Sequence, residues 1–148
     1  MQKVVIANAV RTALVCGIGV VISVSGCGGG SPIKTRPVVG KVELKDGDIA
    51  ILTSSSVELK SDADENLRPY GNIDATGKFV LKTLYQGQIV DGAPEGTYKV
   101  RIILADQSDE GVPKRKGDPF HKKYLEFATS GLSLTVPSGD YAVTVAKK

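Results

Sequence analysis

From Val38 onward, apolar and polar side chains take turns along the chain. Val38, Val42 and Leu44 alternate with Val39, Lys41 and Glu43, and Gly40 stands on the apolar row. Phe79 and Leu81 alternate with Lys78, Val80 and Lys82, and Tyr98, Val100, Ile102 and Leu104 alternate with Thr97, Lys99 and Arg101. Leu132, Leu134 and Val136, then Tyr141, Val143 and Val145, repeat the pattern. A period of two sends successive side chains to opposite faces of an extended strand, so each run predicts a strand with one buried face. The runs are rich in β-branched and aromatic residues, which suit a pleated, half-buried surface. Shorter strands are expected at residues 49–52 and 57–59.

Turn-forming residues separate these runs. Asp46-Gly47 and Ala75-Thr76-Gly77 predict tight turns, and Ala93-Pro94-Glu95-Gly96 suits a type I turn, with proline second and glycine fourth. Pro137-Ser138-Gly139-Asp140 predicts a hairpin joining the last two strands. About seven short strands with regular turns point to an all-β domain, a single β-sandwich. Residues 118–127 alone have helical spacing, with Asp118 as a cap, Pro119 at the first position and Phe120, Tyr124 and Phe127 on one face. An irregular crossover packing those aromatics is the alternative, and a short turn of helix at most is expected.

The N-terminal segment has a different pattern. Lys3 and Arg11 are its charged side chains, and residues 13–24 are an uncharged, mostly apolar run. As a helix that run spans about 18 Å, well short of a hydrocarbon core of roughly 30 Å. It has the length of a signal h-region rather than of a permanent span. Val24-Ser25-Gly26-Cys27 closes it with an aliphatic residue, two small residues and a cysteine. These four resemble the lipobox of bacterial lipoprotein signal peptides. The resemblance implies cleavage before Cys27, a thioether-linked diacylglycerol on its sulfur, and usually acylation, as by palmitate, of the new amino group. Several chains, at about 0.8 kcal/mol per buried methylene, hold a protein where one chain is marginal. Cys16 is a poorer attachment site, because bulky Val15 precedes it and Arg11 interrupts its h-region.

The expected division is therefore a signal peptide at residues 1–26, a lipidated flexible linker at 27–37 and a β-sandwich domain at 38–148. Gly28, Gly29, Gly30, Ser31 and Pro32 have little to bury, which suits a linker. The leader holds two of the chain's 19 basic residues and none of its 16 acidic ones, so a formal charge of +3 falls to +1 without it. That balance gives no reason to expect a nucleic-acid partner. With Cys27 alkylated and Cys16 removed, no disulfide is expected, and the fold must rest on its apolar core.

Three further pieces carry a second resemblance. Val39-Gly40-Lys41-Val42, then Ile73-Asp74-Ala75-Thr76-Gly77-Lys78-Phe79, then Gly96-Thr97-Tyr98-Lys99-Val100 resemble a carboxypeptidase regulatory-like (transthyretin-like) domain. In that family a G-x-V strand, a D-x-x-G-x-F turn and a G-x-Y turn follow in this order. Lys123-Tyr124, Thr129-Ser130-Gly131-Leu132 and residues 136–139 are similar to small planctomycete-type lipoproteins carrying this domain. The polar segment 61–69 departs from the usual pattern. The resemblance implies a prealbumin-like (Ig-like, Greek-key) sandwich that is non-catalytic and structural or accessory.

Candidate chemistry is sparse. His121 is the single histidine, so neither a two-histidine site nor HExxH is present, and an exposed role is expected for it. The transthyretin-like hydrolases imply paired histidines, an arginine and a tyrosine-containing C-terminal tetrapeptide; Val145-Ala146-Lys147-Lys148 does not supply it. No G-x-S-x-G elbow occurs. Asp62, Asp64 and Asn66 have the spacing of three calcium-loop ligands, but Leu67 and Ile73 stand where the loop needs glycine and glutamate. No catalytic residue, metal or cofactor is expected. The expected function is that of a membrane-anchored envelope lipoprotein with a structural or protein-interaction domain, whose contact surface is the set of loops at one end of the sandwich, including residues 105–119. The mixed charges within that loop (Asp106, Asp109, Glu110, Lys114, Arg115 and Lys116) suit a soluble strand connection rather than a recognition patch. A module binding glycans or small ligands is the alternative. The chain lacks tryptophan for an aromatic platform, and its tyrosines apart from Tyr70 and Tyr85 look inward.

Overall fold

The computed structural model describes residues 33–147. The expected leader, the lipobox residues Val24, Ser25 and Gly26, the attachment residue Cys27 and the start of the linker lie outside the described residues. Nine strands follow: β1 (Val39–Leu44), β2 (Ser56–Ser61), β3 (Pro69–Asn72), β4 (Lys78–Val80) and β5 (Lys82–Tyr85). Then come β6 (Gln88–Asp91), β7 (Gly96–Ile103), β8 (Leu132–Val136) and β9 (Ala142–Val145). One sheet has six strands in the order β6-β5-β3-β2-β7-β8 and the other three in the order β4-β1-β9. The architecture is all-β with two sheets, consistent with a β-sandwich.

The alternation explains the core. β2 and β7 pair over their whole length, from Ser56 opposite Ile103 to Ser61 opposite Tyr98. Their inward residues, Val57 and Leu59 with Tyr98, Val100 and Ile102, are buried. Val42, Phe79, Val143 and Val145 of the smaller sheet join them in one apolar cluster. Each such aliphatic side chain stabilises the fold by about 1.5–3 kcal/mol relative to leaving it exposed. This cluster, rather than any covalent link, sets the spacing of the sheets.

Three expectations need correction. Residues 49–52 form a 3-10 turn, not a strand. The Asp48 carboxylate accepts the Ala50 N–H at 2.9 Å, and the turn buries Leu52 while half-burying Ile49 and Ile51. A strand would have sent Ile51 and Leu52 to opposite faces. Secondly, Pro137-Ser138-Gly139-Asp140 does not form a hairpin. β8 pairs with β7, whereas β9 lies parallel to β1, so this segment crosses from one sheet to the other. Thirdly, the run through Phe79 and Leu81 is not one strand. β4 belongs to the smaller sheet and β5 to the larger, and the buried Leu81 is the pivot between them. Its N–H donates to the Val38 carbonyl at 3.0 Å, and its own carbonyl accepts from Gly92 N–H at 2.8 Å.

The strand count exceeds the expected seven because β3 and the β5–β6 hairpin give weak sequence signals. Gln86 (φ 49°) and Gly87 (φ 77°) form the two-residue turn of that hairpin, both left-handed as its strand twist demands. In residues 118–127 the helical element is a single 3-10 turn, Lys122–Leu125. His121, not Asp118, caps it, its Nδ1 accepting the Lys123 N–H at 3.0 Å. Among the described residues no helix is long and apolar enough to cross a membrane.

Candidate functional site

The strand registers define two ends of the larger sheet, and the informative side chains gather there. At one end lie the β5–β6 turn, the β2–β3 loop, the start of β7 and the end of β8. Pro69 opposes Thr83, Ser61 opposes Tyr98 and Gly96 opposes Val136, which together fix this direction. The N-terminal segment reaches the domain here. Arg36 bridges to Ala93 by two backbone hydrogen bonds of 2.8 and 3.0 Å. The Thr35 hydroxyl donates to the Asp91 carbonyl at 2.7 Å, and Arg36 Nε donates to Glu95 at 2.8 Å. Thr35 and Arg36, both inside the segment 27–37 assigned to the linker, are thus bonded to the domain. Beside it the Tyr98 hydroxyl donates to the Pro94 carbonyl at 2.7 Å, and burial pushes its pKa up to about 12.

At the opposite end is the loop of residues 105–119, which follows the last residue of β7. It is an ordered loop held by polar contacts. Ala105 N–H donates to the Ser55 hydroxyl at 3.2 Å, and Arg115 Nη2 donates to the Ala105 carbonyl at 2.5 Å. The Gln107 side chain accepts the Arg115 N–H at 2.8 Å, and Lys114 Nζ donates to the Gln107 carbonyl. Asp106 closes a local turn by accepting the Ser108 N–H at 2.8 Å, and that hydrogen bond holds its carboxyl below the usual range. The mixed charges that marked this loop in the sequence therefore divide in two. Arg115 and Asp106 fasten the loop, whereas Asp109, Glu110 and Lys116 stand exposed.

The remaining candidates do not converge. His121 is exposed, and its Nδ1 is engaged as the cap. Asp62 pairs with Lys99 at 3.2 Å and Asp64 accepts the Asn66 N–H at 2.9 Å, so these two carboxylates serve separate local contacts. Among the described residues no three His, Cys, Asp or Glu side chains group closely enough to hold a metal ion. Asp74 accepts from the Thr76 hydroxyl and from the N–H groups of Thr76 and Lys78. The first of these is the largest cause of its lowered pKa. The Gly77-Lys78 pair leads from this turn into β4 and Phe79, so it lacks the loop-to-helix cradle of a phosphate site.

Two open clefts flank Lys78, of about 430 and 440 Å³. Lys41, Asp140 and Tyr141 line one; Tyr70, Asp74 and Lys82 line the other. Of the tyrosines, Tyr98 and Tyr124 are buried as expected, while Tyr141 is half-buried like Tyr70 and Tyr85.

One cluster was missed in the sequence. Glu58 and Arg101 face each other across β2 and β7, Arg68 joins Glu58 at 3.5 Å, and both arginines lie over the Phe127 ring. The available signal was that Glu58 and Arg101 occupy outward positions of paired strands. Its chemistry is structural: it straps the segment after Leu125 onto the sheet.

No protein-family model matches this chain, and no solved structure matches it. Among curated proteins, 117 residues are 32% identical to a UDP-N-acetylmuramoyl-L-alanyl-D-glutamate--2,6-diaminopimelate ligase of Clostridium tetani. The match takes in 79% of this chain but spans only about a fifth (21%) of that enzyme.

Proposed function

We propose that this chain is an envelope lipoprotein, lipidated on Cys27, whose β-domain is a non-catalytic structural or protein-interaction module. The observation that carries this reading is the placement of the two ends. The N-terminal segment joins the domain beside Ala93 and Glu95, and the loop at 105–119 lies at the far end of the same sheet. An anchor at Cys27 then turns the exposed Asp109, Glu110 and Lys116 away from the bilayer, toward whatever occupies the envelope. Thr35 is eight steps along the chain from Cys27, a path of roughly 28 Å at most, enough to clear lipid headgroups.

A prealbumin-like (Ig-like, Greek-key) sandwich is the finer fold we propose. It is supported by where its three motifs fall. Gly40 lies in the opening strand β1, Gly77 in the turn leading to Phe79, and Gly96-Thr97-Tyr98 opens β7, the longest strand. The polar segment that departs from the pattern is the β2–β3 loop. Catalysis has little support, because His121, Asp62, Asp64, Asp74 and Asp106 serve separate local contacts. The C. tetani ligase activity belongs to a protein about five times the matched length.

The test has two parts. Mass spectrometry of the N-terminal peptide from native membranes should show a diacylated Cys27, and a bare thiol or another start would overturn the anchor. A photo-crosslinker at Glu110 in intact cells should capture a reproducible protein partner that one at Lys82 does not. Failure to do so would overturn the interaction role.

A further inference from the structure

The β5–β6 hairpin has its polarity inside out. Thr83 points inward and is fully buried, its hydroxyl donating to the Gly92 carbonyl at 2.7 Å. Leu84 and Ile89, directly opposite each other in the pair, point outward and are 52% and 62% exposed. Ile89 is the most exposed large apolar side chain among the described residues. Next to this pair is the turn Gln86-Gly87, and residues 83–90 carry no charge. The oppositely charged pair Lys82 and Asp91 follows only on the side away from the turn. The hairpin therefore grades from an uncharged polar turn, through the exposed apolar pair Leu84 and Ile89, to a charged base.

Its location supplies the occupant. The hairpin turn lies at the end of the sheet where Arg36 meets Glu95 beside the start of β7, while Thr35 is hydrogen-bonded to the base of the hairpin through the Asp91 carbonyl. Ile89 is two residues from that bond, and Cys27 is eight residues from Thr35. Fully extended, this path allows about 35 Å between Ile89 and the lipidated sulfur. We propose that the tip of the β5–β6 hairpin rests on the bilayer, with Leu84 and Ile89 entering its interfacial layer as a second, non-covalent contact. This rests on the reading of Cys27 as the anchor. An uncharged tip suits that layer, where apolar side chains are buried to a shallow depth and charged groups stay with the headgroups. A tethered domain needs only a weak second contact, since the first attachment raises its local concentration at the surface. The consequence is orientation: two contacts on one end fix the domain upright, with the loop at 105–119 outermost.

The absence of tryptophan from the chain makes this directly testable. The full-length, lipidated Ile89→Trp protein is reconstituted into vesicles of phosphatidylethanolamine and phosphatidylglycerol, with and without brominated acyl chains. Ile103→Trp, exposed at the far end of β7, is the control. The expected result is a blue-shifted Ile89→Trp emission, quenched at least twofold by brominated lipid, with the Ile103→Trp emission unaffected. Equal, unquenched emission from both variants would overturn the hairpin contact. So would an Ile89→Trp fluorophore shielded from acrylamide but not quenched by brominated lipid, the result expected if a second copy pairs on the open edge of β6. The two readings separate cleanly: a diacylated N-terminal peptide with an unquenched fluorophore sinks the hairpin contact alone, and an unmodified Cys27 sinks both. As a second variant, Leu84→Ser/Ile89→Ser should stay in the membrane fraction, held by its lipid, while a photo-crosslinker at Gln88 loses its lipid adducts.

Discussion

Glu58 and Arg101 stand opposite each other on β2 and β7, and the Glu58 Oε2 accepts both Arg101 Nε at 2.7 Å and Nη2 at 2.6 Å. The same guanidinium lies 4.7 Å from the centre of the Phe127 ring. Both charged side chains are mostly shielded, so the pair is screened less than an ordinary surface bridge. Arg101→Ala removes the ion pair and the ring contact together. It should cost about 1–2 kcal/mol, combining a charge-assisted hydrogen bond with a cation–π contact. Urea denaturation measures this directly. Phe127→Ala should be partly non-additive with Arg101→Ala, because the two share one contact.

The register of β7 makes a sharper prediction. Val100 and Ile102 are fully buried, whereas Lys99 between Tyr98 and Val100 is exposed and pairs with Asp62 at 3.2 Å. Val100→Asp or Ile102→Asp places an unpaired carboxylate in the core and should leave the domain unfolded at room temperature. Lys99→Asp gives up an exposed bridge to Asp62 but gains Lys60 directly opposite, so its effect should stay within about 0.5 kcal/mol. Thermal melts that ranked these variants alike would contradict the register.

The faces of β1, β7, β8 and β9 were legible because burial repeats every second residue there. Period two says which face a side chain takes but not which strand lies beside it. That is why the Pro137–Asp140 segment read as a hairpin although β9 seeks β1 in the other sheet. Leu81 was legible as core but not as the pivot between sheets, since its inward direction is the same in either role. β5 and β6 were illegible for a different reason: buried Thr83 and exposed Leu84 and Ile89 invert the pattern that marks a strand. Residues 49–52 are four apolar side chains in a row, a pattern that fixes burial and leaves the element type open. The loop at 105–119 read from its charges as a soluble connection. That Arg115 fastens it from within depends on the distant Ala105 and Gln107 groups and could not be read along the chain.

Gly40 tests the closeness of the smaller sheet to its own core. A Cβ built there would fall 2.2 Å from the Phe79 ring and 2.6 Å from the Tyr141 carbonyl oxygen. The ring is itself fully packed and the carbonyl belongs to backbone, so neither yields at low cost. Gly40→Ala should destabilise the domain by about 1–3 kcal/mol, the usual range for overpacking. Gly87→Ala meets no atom within 4 Å and carries only the strain of its left-handed turn, about 1 kcal/mol. Comparing the two by chemical denaturation separates a packing requirement from a conformational one.

Tyr98 gives the fold an alkaline limit. Its ring is buried, its hydroxyl donates to the Pro94 carbonyl, and burial raises its pKa from the usual 10 to about 12. A proton retained in the folded state but released in the unfolded one favours folding only while both states hold it. The contribution of Tyr98 is therefore complete below pH 10 and declines as pH rises from 10 through about 12. Urea midpoints measured from pH 8 to 12 should fall over that window. Tyr98→Phe removes the titration and leaves the Pro94 carbonyl without its hydroxyl donor, at a cost of about 1 kcal/mol near neutrality. Its midpoints should start lower and then run flatter above pH 10. Parallel curves for the two proteins would assign the alkaline loss to other groups, and would place the phenol in contact with water rather than against the Pro94 carbonyl.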